Sequence, residues 1–565
     1  MAKSISLTTT FIFNTYKYIL REEFWSLNVL NKCLDSKPWI LSVSIIAFST
    51  LYHLMVGANS WIPVSILFFC GLSYLLNKKK IKLEETKYPV FSIIIAIPII
   101  CVDIYMFLLI TKNIGLIGII LTIVSCYASF FISLLISSYI TNRIGDLIKN
   151  TDKIERIFCY IGFILLSLIC IIAHLSSPIF GSSNELKELF QSNLSDVLFT
   201  ADNQILDNSY WLMCHPENDI RQILFGILGR PVYGFAFIIS KLTTLNIFMI
   251  INIIQNILMV FSFLMIYKML KIKSPIIILL FCCCFSAILY SMIIEQYVIS
   301  VFFLVLFIYN HLYMEDNSMV SMGYMMSTSS LITNGALICW PSGKTIKENI
   351  KNIGKNLLKG ICSIMFFMLA FGRGNVISSA VVDFKKLLRF STIGGNEVTI
   401  GIIEKLQQYS VFIKNCFIMP DFVIKEVPKE NVFLGGEVSI PVFWLKDCNS
   451  FDIIGIGILL LFLIQTIYGI FNKETEKISK ITFVWFCMSI FCMIFVGWGA
   501  IENGFTIYIL YFGWVFIVAL CLLINNLKSI KLKHIIYTFL TIGLMGLNIS
   551  PVVKMIEFAT MYYAI

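Results

Sequence analysis

Charge is the scarce commodity in this chain. Asp, Glu, Lys and Arg make up only 13% of its 565 residues, against 58% hydrophobic residues. Soluble domains carry about twice that share of charge, so a soluble globular protein is excluded. The sequence has no CxxC pair and no His/Cys cluster with zinc-ligand spacing, which removes the usual redox and structural-metal signatures. Segments of roughly ten alternating residues are missing too, and with them a transmembrane β-barrel. Residues 1–38 lack the short apolar core and small-residue cleavage site of a signal peptide.

What is there is a series of long apolar runs. With a mean hydropathy of +0.86, runs of roughly 18 or more residues recur, each able to cross a hydrocarbon core of about 30 Å. Lipid offers backbone groups no partner, so such runs fold as helices. The expectation is an all-α integral membrane protein of roughly 12–14 transmembrane helices with two large extracytoplasmic loops. The net charge of +10 sits in short loops between these runs. The positive-inside rule distributes charge this way, so no nucleic-acid partner is expected.

The chain divides by pattern. Residues 1–38 form a basic, aromatic N-terminal segment, either an interfacial helix on the cytoplasmic face or an ordinary amphipathic terminus. A four-span module covers 39–156, with spans near 39–57, 59–77, 89–111 and 114–140. A core follows over 157–372. A second polar interval covers 373–451, and four further spans close the chain over 452–565. Lys78, Lys79, Lys80, Lys82, Lys87, Arg143, Lys149, Lys153 and Arg156 mark the cytoplasmic turns. The N-terminus is then cytoplasmic and the C-terminus extracytoplasmic, in a multi-pass protein of the cell membrane. Residues 223–240 are apolar but interrupted by Gly229-Arg230-Pro231, which predicts an interfacial or re-entrant segment. The run 319–340 precedes a lysine-rich stretch at 344–359 that simple alternation would put outside. Either that run is re-entrant, or the lysine-rich stretch is an interfacial helix on the outer face.

The first polar interval, 177–222, holds the candidate chemistry. Glu185, Glu188, Asp196, Asp202, Asp207, Glu217 and Asp219 oppose only Lys187 and Arg221. A carboxylate at the membrane surface can take the proton of an acceptor hydroxyl as it attacks a sugar's anomeric carbon. Arg221, Arg230 or Arg373 would meet the departing lipid phosphate. Asp202 is the preferred base, with Asp196 and Asp207 as rivals; the plain alternative is a helix cap at Asn203. Glu295, alone between two apolar runs, is either a site residue or a solvated turn, and Glu502 poses the same choice. His215, with Asp219 or Glu217, is either a weak metal ligand set or a structural residue. Gly343-Lys344-Thr345 lacks the upstream glycine and strand of a phosphate loop, since position 338 is Ile338. Cys214, Cys416 and Cys448 fall in polar loops, where two of them could pair.

Leu198-Phe199-Thr200-Ala201-Asp202 followed by Arg221 resembles a bacterial group of the GT-C class of polytopic membrane glycosyltransferases. So do Glu295-Gln296-Tyr297-Val298, Ile332-Thr333-Asn334, and Trp498-Gly499 with Glu502, Phe505 and Tyr508. The resemblance spans about 157–550 and departs in two ways. His215-Pro216 precedes Arg221 instead of following it, and the four spans before 157 are extra. It implies a GT-C-like fold, a polyprenyl-phosphate-linked sugar as donor, and a cell-envelope glycan, lipid or protein as acceptor. It also implies Asp202 as base on the outer face. It fixes no cofactor, because some members use a divalent metal and others none. Two other readings compete: a flippase or transporter of lipid-linked glycans, for which Asp103 is the clearest mid-span charge, and an O-antigen-type polymerase or ligase resting on Arg373.

Overall fold

The computed structural model describes residues 38–55, 57–78, 86–111, 115–180, 221–339, 345–377, 400–431, 436–446, 450–499 and 503–563. Among these, 11 helices are long and apolar enough to cross a membrane. Two shorter apolar helices, α1 (Pro38–Met55) and α2 (Ile62–Lys78), precede them. The chain is an all-α, multi-pass membrane protein with one small β-hairpin among the described residues.

Helices α3 (Pro89–Thr111) and α4 (Leu116–Lys149) form a tight antiparallel pair. Ser125, Ser129, Ser133, Ser137 and Thr141 recur every fourth residue on α4 and are all buried. Small side chains let helices approach where no hydrophobic effect drives them together. Hydroxyls then pair across the contact, Ser92 with Thr141 at 2.6 Å and Thr111 with Thr122 at 3.1 Å. At 34 residues, α4 is about 50 Å long and outreaches the hydrocarbon core. Helix α5 (Lys153–Ser176) starts on a capping box between Asp152 and Glu155.

Beyond α5, helix α6 (Phe225–Thr243) is continuous. The segment expected to be interfacial or re-entrant over 223–240 is thus an unbroken helix long and apolar enough to span: Pro231 is accommodated within it and the Arg230 charge has a buried partner. Helix α7 (Ile247–Leu270) follows. The apolar run 275–293 folds as two short helices, α8 (Ile276–Cys283) and α9 (Phe285–Met292), broken at an extended Cys284. A break in an apolar interior frees backbone groups that must find partners. The Phe285 N–H donates to the Phe417 carbonyl at 3.0 Å. The Asn548 amide donates to the carbonyls of Cys283 and Phe417, both at 2.9 Å, and accepts from the Met419 N–H at 2.7 Å.

Helix α10 (Gln296–Phe307) widens into a π-helical turn at Ile308–Tyr313. Helix α11 (Val320–Ser330) and a 3-10 turn at Ile332–Cys339 then form a folded-back pair. Asn334 donates to the Ser327 carbonyl at 2.9 Å, and the Tyr324 hydroxyl donates to the Gly335 carbonyl at 3.1 Å. Val320 and Leu337, at the ends of the two legs, line one cavity with Lys355 and Lys359. The described part of 319–340 thus folds back on itself, as the re-entrant alternative requires. The lysine-rich stretch and the short run after it are a single helix, α12 (Ile346–Ala370), capped by Thr345.

Within 373–451, helix α13 (Ile402–Asn415) is followed by strands β1 (Phe422–Asn431) and β2 (Gly436–Leu445), paired antiparallel with Phe422 opposite Leu445. The helix is not loop-like: Tyr409, Phe412 and Cys416 are buried, and a Cβ on Gly513 would lie 2.4 Å from the Cys416 sulfur. The Cys416 thiol is free and donates to the Phe412 carbonyl, while Cys214 and Cys448 lie outside the described residues. Helices α14 (Ile453–Phe471), α15 (Glu476–Ile490), α16 (Ile509–Asn525) and α17 (Ile530–Tyr562) complete the bundle.

The basic turns gather on one face. Lys268 reaches Asn150 and Glu155, Arg143 pairs with Asp316, Lys477 donates to the Tyr313 carbonyl, and Ser274 meets His534. This clustering places the lysine-rich start of α12 with the turns it should join under the charge rule. Cysteines introduced as Lys359→Cys and Lys473→Cys, in a cysteine-depleted background, should react with an impermeant maleimide from the same side of the membrane. Labelling from opposite sides would refute the re-entrant fold of 319–340.

Candidate functional site

Two polar clusters sit inside the bundle. The first forms where the end of the acidic interval meets the re-entrant loop. The Arg221 carbonyl accepts from the Ile332 N–H at 2.8 Å, and the Leu224 N–H donates to the Ser329 carbonyl at 3.2 Å. The side chain of Glu295 caps α10, accepting from the Gln296 N–H at 2.8 Å, and Glu295 is only 1% exposed. Of the two alternatives for Glu295, a site residue or a solvated turn, the solvated turn does not fit its burial. From α7, Gln255 donates to the Glu295 carbonyl at 2.8 Å.

At the second residue of α10, the ring of Tyr297 lies 5.4 Å from Tyr508 and 5.8 Å from Tyr511. Both Glu295 and Arg221 lie close enough to act electrostatically on Tyr297. The Tyr511 hydroxyl donates to Asn334 and accepts from Thr333 at 2.6 Å. Its own carbonyl is fixed by the Trp485 ring N–H at 3.0 Å. Gly499 has φ +77°, and a Cβ there would stand 2.6 Å from the Tyr508 ring, so this turn can press on Tyr508 only as glycine. Four segments quoted from the sequence, around Arg221, Glu295–Tyr297, Thr333–Asn334 and Gly499–Tyr508, are thereby brought together.

The wall facing Glu295 is amide-rich. Asn252, Gln255 and Asn256 are fully buried on α7. Asn252 donates to His174 at 3.2 Å. The Gln255 side-chain oxygen, both amide atoms of Asn256 and the Gln296 side-chain oxygen have no hydrogen-bond partner among the described residues. Native interiors rarely leave such groups unpaired, and those of Gln255 and Gln296 lie on residues in contact with Glu295.

The second cluster joins the N-terminal module to α6. Asp103 of α3 and Arg230 of α6 form an ion pair at 2.6 Å, with both side chains 0% exposed. Arg230 also donates to the Tyr52 hydroxyl at 3.1 Å, Tyr52 donates to Asp103, and Ser129 donates to the other Asp103 oxygen at 2.5 Å. Each charge is met by hydrogen bonds as well as by its counter-charge, as burial requires. Arg230 was expected to meet a phosphate; its observed partner is a carboxylate. Arg373 is buried beside Gly372, whose φ of +67° packs it against the Tyr52 carbonyl. Arg373 therefore sits where the end of α12 docks onto α1.

Asp202, Asp207, His215 and Glu502 lie outside the described residues, as do Asp196, Glu217 and Asp219. Among the described residues, no three His, Cys, Asp or Glu side chains come together as a metal site. Tyr52, Ser129 and Tyr511 escaped the sequence reading. Asp103, isolated in an apolar run, was the one signal that a mid-span partner existed. No family model, curated protein or solved structure matches the chain.

Removing one member of the buried pair leaves the other uncompensated, at a cost of about 3–5 kcal/mol. Asp103→Asn and Arg230→Gln should each lower the thermal midpoint of the detergent-solubilised protein sharply. The double variant Asp103→Leu/Arg230→Met should recover most of that loss. Single variants as stable as the wild type would show that the pair does not hold α6 to the N-terminal module.

Proposed function

We propose that the chain is a membrane glycosyltransferase of GT-C type. It moves a sugar from a polyprenyl-phosphate-linked donor to an extracytoplasmic acceptor. The observation that carries this reading is the convergence of Arg221, Glu295, Tyr297, Asn334 and Tyr508 at the end of the acidic interval. In the resemblance these segments belong to one site, although they lie far apart in sequence.

In this reading the acceptor hydroxyl oxygen attacks the anomeric carbon as the carbon–oxygen bond to the phosphate breaks. Polyprenyl phosphate leaves with the bonding electron pair. The hydroxyl proton passes to the Asp202 carboxylate, and the anomeric configuration inverts. Arg221 supports the departing phosphate. Arg230, paired with Asp103, holds the helix that follows Arg221 and is a positioning residue. Glu295 organises the start of α10 and orients the acceptor side. Its burial makes it costly to keep unless it serves the site.

One observation favours a second reading. The Asp103–Arg230 pair, enclosed by α1, α3, α4 and α6, is the kind of intramembrane charge that a flippase of lipid-linked glycans would use. A polymerase or ligase reading would centre on Arg373 instead.

The test is turnover in nanodiscs with a panel of polyprenyl-phosphate sugars, following release of polyprenyl phosphate. Loss of a general base costs typically 10²–10⁴-fold. Asp202→Asn should fall by that order with the fold intact, and Glu295→Gln should also lose activity. Turnover surviving in Asp202→Asn would move the base to Asp196 or Asp207. Absence of turnover with every donor, alongside specific lipid binding, would favour the flippase.

A further inference from the structure

On the basic face lies a half-enclosed cavity of about 650 Å³. Five lysines line it: Lys355 and Lys359 of α12, and Lys473, Lys477 and Lys480 around the start of α15. Two carboxylates oppose them. Glu315 pairs with Lys477 at 2.5 Å, and Glu476 pairs with Lys480. The lining thus keeps a surplus of three positive charges, and Asn317, Ser321 and Asn356 add neutral polar groups around them.

The opposite wall is conformationally unusual in a way that packing alone does not require. It begins with the π-helical turn Ile308–Tyr313, which contributes His311 and Leu312. Glu315 and Met319 follow at φ +58° and +50°. Two non-glycine residues in the left-handed region within one short turn store strain, and π-turns concentrate at functional positions. His311 is locked between the Tyr139 hydroxyl at 2.9 Å and the Asp316 carbonyl at 2.7 Å. Arg143, bound to Asp316 and Ser318, braces the same turn.

The sequence prepares the cationic wall. Lys347, Lys351, Lys355 and Lys359 recur every fourth residue, which puts them on one side of a helix. Alternating with them on α12, Leu357, Leu358 and Ile361 are exposed apolar residues. The cavity rim therefore adjoins lipid-facing surface.

We propose that this cavity is a binding site for a phosphate group, most directly the phosphate of an anionic lipid in the leaflet on the basic face. Basic pockets between transmembrane helices on that side suit such head groups. The Lys355, Lys359 and Lys473 ammonium groups meet the phosphate oxygens, while the lipid chains lie along Leu357, Leu358 and Ile361.

Native mass spectrometry of the full chain in mild detergent tests this. It is titrated with phosphatidic acid, with phosphatidylcholine of the same chains, and with inorganic phosphate. Wild type should retain phosphatidic acid over phosphatidylcholine. At about 1 kcal/mol per lysine, Lys355→Gln/Lys359→Gln should bind roughly thirtyfold more weakly. Lys528→Gln/Lys531→Gln, outside the cavity, should leave binding unchanged. Inorganic phosphate that displaces the lipid at comparable concentration would keep the site but assign it to a soluble phosphate compound. In the unmutated protein, phosphatidic acid should slow acylation of Lys355 and Lys359 and not of Lys528. No preference for phosphatidic acid, equal weakening by both lysine pairs, or no protection from acylation would overturn the proposal.

Discussion

A helix in an apolar interior has to satisfy its own backbone, and wherever it breaks, something else must take over. That constraint organises this molecule. The break at Cys284 is closed by Asn548, whose single amide serves the Cys283 and Phe417 carbonyls and the Met419 N–H. The re-entrant turn after Ser330 is closed by Asn334, by the Arg221 carbonyl and by Tyr511. Interior backbone made irregular in this way survives only where side chains from distant helices converge. The candidate site is one of these convergences, so the same contacts that permit the irregular backbone also bring Arg221, Glu295 and the tyrosines into reach of one another.

The buried ion pair answers a related problem. Arg230 precedes a proline in the middle of an apolar helix, which on its own is an expensive arrangement. Asp103 is as costly alone in α3. Together, with Tyr52 and Ser129 filling the remaining hydrogen-bond positions, they make each other tolerable. The four-span module before residue 157 is thereby tied to α6, the helix that follows the acidic interval. The helices before residue 157 thereby acquire a mechanical role, fixing the helix next to Arg221.

The membrane class, most helix positions and the sorting of basic turns were legible in the sequence, because length, hydropathy and the placement of lysines are local properties. The spans read at 89–111 and 114–140 start within a few residues of α3 and α4. Pairing was not legible. Nothing local tells Arg230 that its partner is Asp103 rather than a phosphate, since both are anions and the choice depends on which helices touch. The broken helix at Cys284 was hidden for the same reason: an apolar run reads as one span unless a distant amide exists to pay for its interruption. Re-entrance at 319–340 was half visible, because the lysines at 344–359 contradicted alternation even though the sequence could not say which of two remedies applied.

Where charge persists in this bundle follows from what can meet it. Lysines in the turns of one face have water to meet them, so a surplus of positive charge can persist in an open cavity there. Carboxylates in the interior need partners instead: Asp103 has Arg230, and Glu295 is buried at a helix start. It is held there as the cap of α10, with its side chain bonded to the first helical N–H and its carbonyl bonded to Gln255. The position of Glu295 is therefore set by the start of α10 and by its contact with α7, and the side-chain oxygens of Gln255 and Gln296 near it have no hydrogen-bond partner among the described residues.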